Sequence, residues 1–178
     1  NYLLSIGITK GDRIALLSPN DVSYFDLLFA CGKIGAIFVP LNWRLSYSEI
    51  TYILQNCTPK CIMVTNVLKE LIKDCEIEKI IDLNSKEYDD ILHQETSAEF
   101  LSQEIKECDP LAIIYTGGTT GKPKGVVLSH QSIMWNGLNT ILSWNLSAHD
   151  TTLTYLPMFH TGGLNALSIP ILMMGGKV

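Results

Sequence analysis

The chain has 178 residues, of which 47% are hydrophobic and 17% are charged, and its formal net charge is −5. This length and composition are typical of one ordinary domain or two small ones with a real core, and they disagree with intrinsic disorder. The acidic balance argues against a nucleic acid or an anionic membrane surface as the main partner. The five cysteines form no C-x-x-C pair, so we expect reduced thiols in a cytoplasmic protein.

In the first half of the chain, short apolar runs alternate with segments that have helical periodicity. The apolar runs predict buried strands over 13–18, 36–39, 61–65 and 79–83. An alternation of this kind indicates an α/β fold, with a doubly wound, mostly parallel sheet and helices on both of its faces.

The helices between these strands have local start signals. Asn20 or Asp21 can cap a first helix with one apolar face. Ser46 and Glu49 match the S-x-x-E capping box of a second helix, and 67–75 has helical spacing. The apolar face of the first helix consists of Tyr24, Leu27, Leu28, Cys31 and Ile34.

An acidic segment over 84–109 interrupts the alternation. Between Asp82 and Asp109 the sequence holds nine acidic residues and two lysines, so we expect a solvated connection with helical fragments. We therefore divide the chain into a first α/β portion at 1–109, which ends in this connection, and a second portion at 110–178.

The second portion begins with another alternation of strands and helices. Strands are predicted over 111–115 and 125–129, and Ser129 can cap the helix that follows. A further strand is predicted over 151–156 and a further helix over 163–174, despite the proline inside it.

After Lys124 the only charged residues are Asp150 and Lys177, which raises the question of a transmembrane segment. Histidines, asparagines, glycines and a proline interrupt both uncharged stretches, so we expect buried segments and no transmembrane segment. The chain begins at Asn1 and stops at Gly-Gly-Lys-Val, and we expect it to be a piece of a longer protein.

The sharpest chemical signal is the loop from Tyr115 to Gly125, which has four glycines, three threonines and two lysines. Glycines let backbone N–H groups approach a ligand, hydroxyls add donors and lysines neutralise charge, so the loop suits a polyphosphate. It is not a Walker A loop, because Thr116 stands where that motif has its first glycine and Pro123 follows Lys122. It also lacks the dinucleotide fingerprint G-x-G-x-x-G.

This loop, with 126–130 after it, resembles the signature of the adenylate-forming superfamily. That superfamily includes acyl-CoA synthetases, peptide-synthetase adenylation domains and firefly-type luciferases. Gly117 stands where the usual signature has serine. Other stretches that resemble the family, in the same order, are 11–15, 30–36, 39–46 with Glu49, and 155–164.

The resemblance implies that the loop holds the β- and γ-phosphates of ATP. Lys124 matches the family's Pro-Lys-Gly sequence and is preferred to Lys122 as the main charge contact. Mg²⁺ would bridge phosphate oxygens, and the sequence names no metal ligand. The nucleotide-binding residues carried over are Thr116, Gly117, Gly118, Thr119, Thr120, Gly121 and Lys124.

The resemblance also places His160 in the catalytic site, beside the acyl carboxylate and the thiol channel. We expect it to act as a pocket residue more than as a proton carrier. Its neighbours Pro157, Met158 and Phe159 would supply an apolar wall.

Other residues are interpreted as structural. Trp43 and Arg44 match a family motif but are expected to serve packing and an ion pair. Trp135 and Trp144 lie at helical positions and are expected in the core or in a pocket wall, and His130 follows a helix cap.

The sequence thus predicts the N-terminal portion of an ATP-dependent acyl-CoA synthetase, a cytoplasmic ligase. It would activate a fatty or aryl acid as acyl-AMP and transfer the acyl group to coenzyme A. The family's later motifs, including a catalytic lysine, do not appear, so we expect no turnover from these residues alone. The alternatives are a peptide-synthetase adenylation domain, a non-catalytic nucleotide-binding module and an unrelated P-loop kinase. A homodimer is left open.

Overall fold

A computed structural model describes residues 1–93, 104–117 and 121–178. A six-stranded sheet forms its centre, with the strand order β4-β3-β1-β2-β5-β6. Neighbouring strands are parallel except β5 and β6, which form an antiparallel hairpin. The strands are β1 (Arg13–Leu17), β2 (Ile37–Pro40), β3 (Cys61–Val64), β4 (Lys79–Asp82), β5 (Pro110–Thr116) and β6 (Lys124–Ser129).

Helices cover both faces of this sheet, and the predicted doubly wound, mostly parallel α/β fold is confirmed. A 3₁₀ helix at Asn66–Ile72 replaces the regular helix expected over 67–75. The α-helices are α1 (Tyr2–Ser5), α2 (Ser23–Ile34), α3 (Tyr47–Cys57), α4 (Lys86–His93), α5 (His130–Trp144), α6 (Thr161–Leu164) and α7 (Ser168–Met173).

Strand β1 shows how the sequence builds two cores. Ile14 and Leu16 belong to the core under α2, whereas Ala15 and Leu17 belong to the core under α3. Successive side chains of a strand point to opposite faces, so a fully apolar strand must be covered on both sides. Burying each large side chain stabilises the fold by about 1.5–3 kcal/mol.

The helix signals in the first portion are confirmed. The predicted apolar face of α2 is buried, and its Tyr24 ring meets Phe38 of β2 edge-on at 6.1 Å between centroids. Asp21, not Asn20, serves the start of α2, because its Oδ1 accepts the Ser23 N–H at 2.9 Å.

The capping box of α3 is also present. Glu49 N–H donates to Ser46 Oγ at 3.4 Å, and Glu49 Oε2 accepts the Ser46 N–H at 2.9 Å. Two groups at the helix end that would lack partners within the helix are therefore paired.

The strand predicted over 151–156 does not form. Thr151 makes an isolated parallel bridge to Lys177, in which the Thr152 N–H donates to the Lys177 carbonyl at 2.9 Å. The described residues offer no ladder partner for positions 153–156. A strand needs a neighbour to pair its N–H and C=O groups, so Leu153 and Tyr155 stay 87% and 80% exposed.

The helix predicted over 163–174 is divided into α6 and α7. In a continuous helix the ring of Pro170 would clash with the carbonyl of Ala166, four residues earlier. The chain instead restarts at Ser168, which places Pro170 in the first turn of α7, where a proline is tolerated.

The remaining differences concern exposure. Trp135 and Trp144 are 53% and 64% exposed, so they do not lie in the core of the described residues, and the alternative of a pocket wall stays a prediction. Part of the acidic connection forms α4, and its positions 94–103 lie outside the described residues. The division between 109 and 110 stays a prediction.

In the described part of the chain, no helix is long and apolar enough to cross a membrane.

Candidate active site

The carboxyl ends of β1, β2 and β5 meet at one edge of the sheet, because these strands are parallel neighbours. β1 leads into α2 on one face of the sheet and β2 leads into α3 on the other. Open α/β sheets bind ligands at this edge, where adjacent connections diverge to opposite faces. The glycine-rich loop follows β5 and so lies at the same edge.

The glycine-rich loop closes the hairpin between β5 and β6. Thr116 at the end of β5 pairs with Lys124 at the start of β6, and both residues are exposed together with Gly117 and Gly121. The predicted nucleotide-binding residues at 118–120 lie outside the described residues. Because the loop returns into a strand, no helix N-terminus follows it, as a Walker A loop would require.

Helix α3 anchors both ends of this loop. The Tyr115 hydroxyl donates to Asn56 Oδ1 at 2.5 Å, and Lys122 Nζ lies 5.7 Å from the centroid of the Tyr52 ring. Tyr52 and Asn56 are one helical turn apart, so they share a face of α3. Lys122 is therefore held against the protein, whereas Lys124 makes no salt bridge within the described part of the chain.

Gly125 allows the close approach that this anchoring needs. A Cβ atom at this position would lie 2.8 Å from Ile113 Cγ2 and 3.2 Å from the Tyr115 ring. Because glycine has no side chain, the Tyr115 ring can pack directly against position 125. In this place the Tyr115 hydroxyl reaches Asn56 of α3.

His160 caps the start of the short helix α6 and is exposed. Its N–H donates to the Pro157 carbonyl at 3.1 Å, and its own carbonyl accepts the N–H groups of Gly163 and Leu164 at 3.1 and 3.2 Å. The backbone of His160 is thus fixed at both ends, and its exposed imidazole contacts the Phe159 ring at 4.6 Å between centroids.

The neighbours of His160 face inward. Met158 and Phe159 are 3% and 2% exposed and belong to the core under α2, and the apolar wall predicted at Pro157, Met158 and Phe159 stays a prediction. The hydrophobic effect favours the burial of both apolar side chains.

The loop after β2 touches this segment. The Arg44 guanidinium lies 5.0 Å from the Trp43 ring centroid and 5.9 Å from that of Phe159. The predicted packing is present, but among the described residues Arg44 has no ion pair. Cation–π contacts of this length contribute about 0.5–1 kcal/mol at exposed sites.

The sequence reasoning missed Asn20, which lies just after β1 at the same edge. Its Nδ2 donates to the carbonyls of Leu156 and Thr154 at 2.9 and 3.3 Å, and its Oδ1 accepts the Met158 N–H at 2.9 Å. A polar residue directly after a buried strand was the available signal, and the sequence analysis assigned it to a helix cap.

His130 lies at the opposite edge of the sheet, as a structural residue. Its backbone N–H donates to the Asp109 backbone carbonyl at 3.1 Å, next to the amino end of β5. Burial lowers the pKa of the His130 imidazole, although the nearby Asp109 carboxylate acts in the opposite direction.

Fold and loop together define a class: an α/β protein with a glycine-rich loop at the carboxyl edge of its sheet. Comparison with known families narrows this class, since the AMP-binding enzyme family matches residues 1–178. The chain therefore belongs to the AMP-binding enzyme family, and the predicted resemblance is confirmed.

Individual relatives agree with this assignment. The chain is 32% identical to the feruloyl-CoA synthase of Amycolatopsis sp, over 100% of this chain and 35% of that protein. It is 35% identical to the indoleacetate–CoA ligase of Aromatoleum aromaticum, over 99% and 36%. The solved structure of ATP-bound MatB from Rhodopseudomonas palustris matches with a TM-score of 0.87 at 27% identity, over 99% of this chain and 36% of that chain. The chain thus spans about a third of the length of these relatives.

Proposed function

We propose that the full-length parent of this chain is an acid–thiol ligase that forms acyl-CoA through acyl-AMP. A carboxylate oxygen would attack the α-phosphorus of ATP and release pyrophosphate, and the thiol of coenzyme A would then displace AMP. The observation that carries the proposal is the exposed Gly/Thr/Lys hairpin loop at the carboxyl edge of the sheet. The CoA-ligase names of the relatives support the same reaction.

In this proposal the loop neutralises and orients the β- and γ-phosphates. The exposed positions of Thr116, Gly117, Gly121 and Lys124 at the hairpin end suit this role, and Gly118, Thr119 and Thr120 would complete the cradle. Preorganised donors around a phosphoryl group stabilise the charge that develops during transfer. Lys124 would be the main charge contact, because Lys122 already lies against Tyr52.

Mg²⁺ would bind at this site together with the nucleotide. The described residues hold no cluster of three or more His, Cys, Asp or Glu side chains that could bind a metal ion, and the described part of the loop offers hydroxyl, amide and amine groups. Phosphate oxygens of the nucleotide would supply ligands to the ion, which neutralises their charge.

His160 would border the acyl carboxylate and the thiol channel. Its fixed backbone and exposed imidazole allow such contact. We propose a fatty or aryl acid as the substrate, with a peptide-synthetase adenylation domain and a non-catalytic module as the alternatives. The cytoplasmic location and the homodimer stay predictions.

Carboxylate-dependent exchange between ATP and pyrophosphate in the full-length parent tests this function. Exchange with fatty or aryl acids would support the proposal, and exchange with amino acids alone would favour the adenylation domain. MgATP binding without exchange for any acid would leave the non-catalytic module. The 178 residues alone should form no acyl-CoA, and robust formation would contradict that expectation.

Lys124→Ala and Lys122→Ala form a matched pair for the loop itself. Loss of a charged hydrogen bond costs about 1.5–3 kcal/mol, so Lys124→Ala should raise the KM for ATP about tenfold to a hundredfold. Lys122→Ala should change it several times less. Equal effects of the two substitutions on the KM for ATP would contradict the assignment of Lys124.

A further inference from the structure

Asn20 is anchored on a rigid turn at the end of β1. The buried Tyr24 hydroxyl donates to the Ser18 carbonyl at 2.7 Å, and Asp21 holds the first N–H of α2. Both contacts fix the backbone on either side of Asn20, so its side chain projects from a defined point.

The segment that Asn20 binds has no regular secondary structure of its own. Residues 153–156 lack ladder partners within the described residues, and this segment leads directly to His160. The Asn20 side chain makes three hydrogen bonds to the backbone here. Its Nδ2 donates to the carbonyls of Thr154 and Leu156, and its Oδ1 accepts the Met158 N–H. A primary amide is suited to this task because it donates and accepts at once.

Downstream of Asn20, the turn from Pro157 to Gly163 is compact. The Pro157 carbonyl accepts the N–H of His160, and the Gly163 carbonyl accepts the Ser168 hydroxyl at 3.0 Å. The position set by Asn20 at Met158 is therefore passed to His160 through one short turn.

We propose that Asn20 is a positioning residue for His160 in acyl transfer, an inference that rests on the proposed function. In this inference Asn20 acts through His160 and not on a reacting group. It sets the place of the backbone that carries His160, so its loss should affect the acid and thiol steps and spare the phosphate loop. Misplacement of a site group by about 1 Å can cost about a hundredfold in rate.

The test compares Asn20→Ala with Asn84→Ala in the full-length parent. Asn84 is a matched control, since it is also exposed and its Oδ1 accepts the Asn66 N–H at 3.1 Å, after β4. Hydrogen exchange should accelerate at Met158 and along 153–160 in Asn20→Ala only. The kcat/KM for the acid should fall tenfold or more in that variant, with the KM for ATP unchanged.

A double-mutant cycle with His160→Ala separates this inference from the proposed function. If Asn20 acts through His160, Asn20→Ala should add little to the loss caused by His160→Ala. Fully additive losses of kcat/KM for the acid, or unchanged hydrogen exchange at Met158, would overturn the inference. Normal activity of His160→Ala would instead overturn the proposed role of His160, while the exchange data would still report whether Asn20 holds the segment.

Discussion

Gly163→Ala should disrupt the turn that carries His160. A Cβ atom at Gly163 would lie 2.2 Å from the Pro157 carbonyl oxygen and 2.6 Å from that of Leu156. Ordinary carbon–oxygen contacts are about 3.3–3.6 Å, so the two backbone segments must separate by about 1 Å. No flexible side-chain end is available to move aside, because both clashing partners are backbone atoms.

Overpacking of this kind costs about 1–3 kcal/mol, and a clash between two backbones belongs near the upper end. For a chain of this size, about 2–3 kcal/mol lowers the Tm by about 4–12 °C. Thermal unfolding followed by circular dichroism measures this change. In the full-length parent the same substitution should also lower the kcat/KM for the acid.

Gly162→Ala is the matched control in the same helix. A Cβ atom there would lie 3.8 Å from Leu156 Cδ1, which is an ordinary contact. We expect a change within about 0.5 kcal/mol. If Gly163→Ala unfolds at the same temperature as Gly162→Ala, the argument from close packing at Pro157 is refuted.

Three further predictions concern the scaffold. Ser46→Ala should lower the free energy of unfolding by about 1 kcal/mol, because the capping box of α3 is lost; urea unfolding measures this, and an unchanged midpoint would contradict it. Burial raises the pKa of the Asp12 carboxyl, but hydrogen bonds led by that from Lys60 outweigh it and hold the pKa below its usual value. Asp12 therefore stabilises the fold above its unfolded pKa of about 3.9, and this contribution disappears as the pH falls through the lower folded value. Asp12→Asn should flatten the pH dependence of stability in that acidic range. Urea unfolding at several pH values measures this dependence, and the same slope of stability against pH with and without the substitution would disprove the prediction. Tyr115→Phe should weaken ATP binding by about 1 kcal/mol, because the hydrogen bond to Asn56 is lost. Titration calorimetry on the parent measures this, and equal ATP affinities with and without the substitution would count against the anchoring of the loop.

Much of the candidate site could be predicted because its signals are local. The glycines, threonines and lysines of the loop are contiguous, and the strand before it is a continuous apolar run. The motif around His160 predicts its place in the site, which stays a prediction, and the structure adds the hydrogen bonds that fix its backbone. The inward turn of Met158 and Phe159 could not be predicted, because it depends on a core assembled from distant elements.

The sequence by itself determined the α/β class, the buried face of α2 and the capping box at Ser46, since each depends on residues a few positions apart. Tertiary structure alone decided the strand order, the absence of a strand over 151–156 and the hydrogen-bond partners of Asn20. Asn20 bonds residues 134 to 138 positions away, and such partners are selected by packing of the whole sheet. Local periodicity holds no information on which distant backbone groups will come within hydrogen-bond distance.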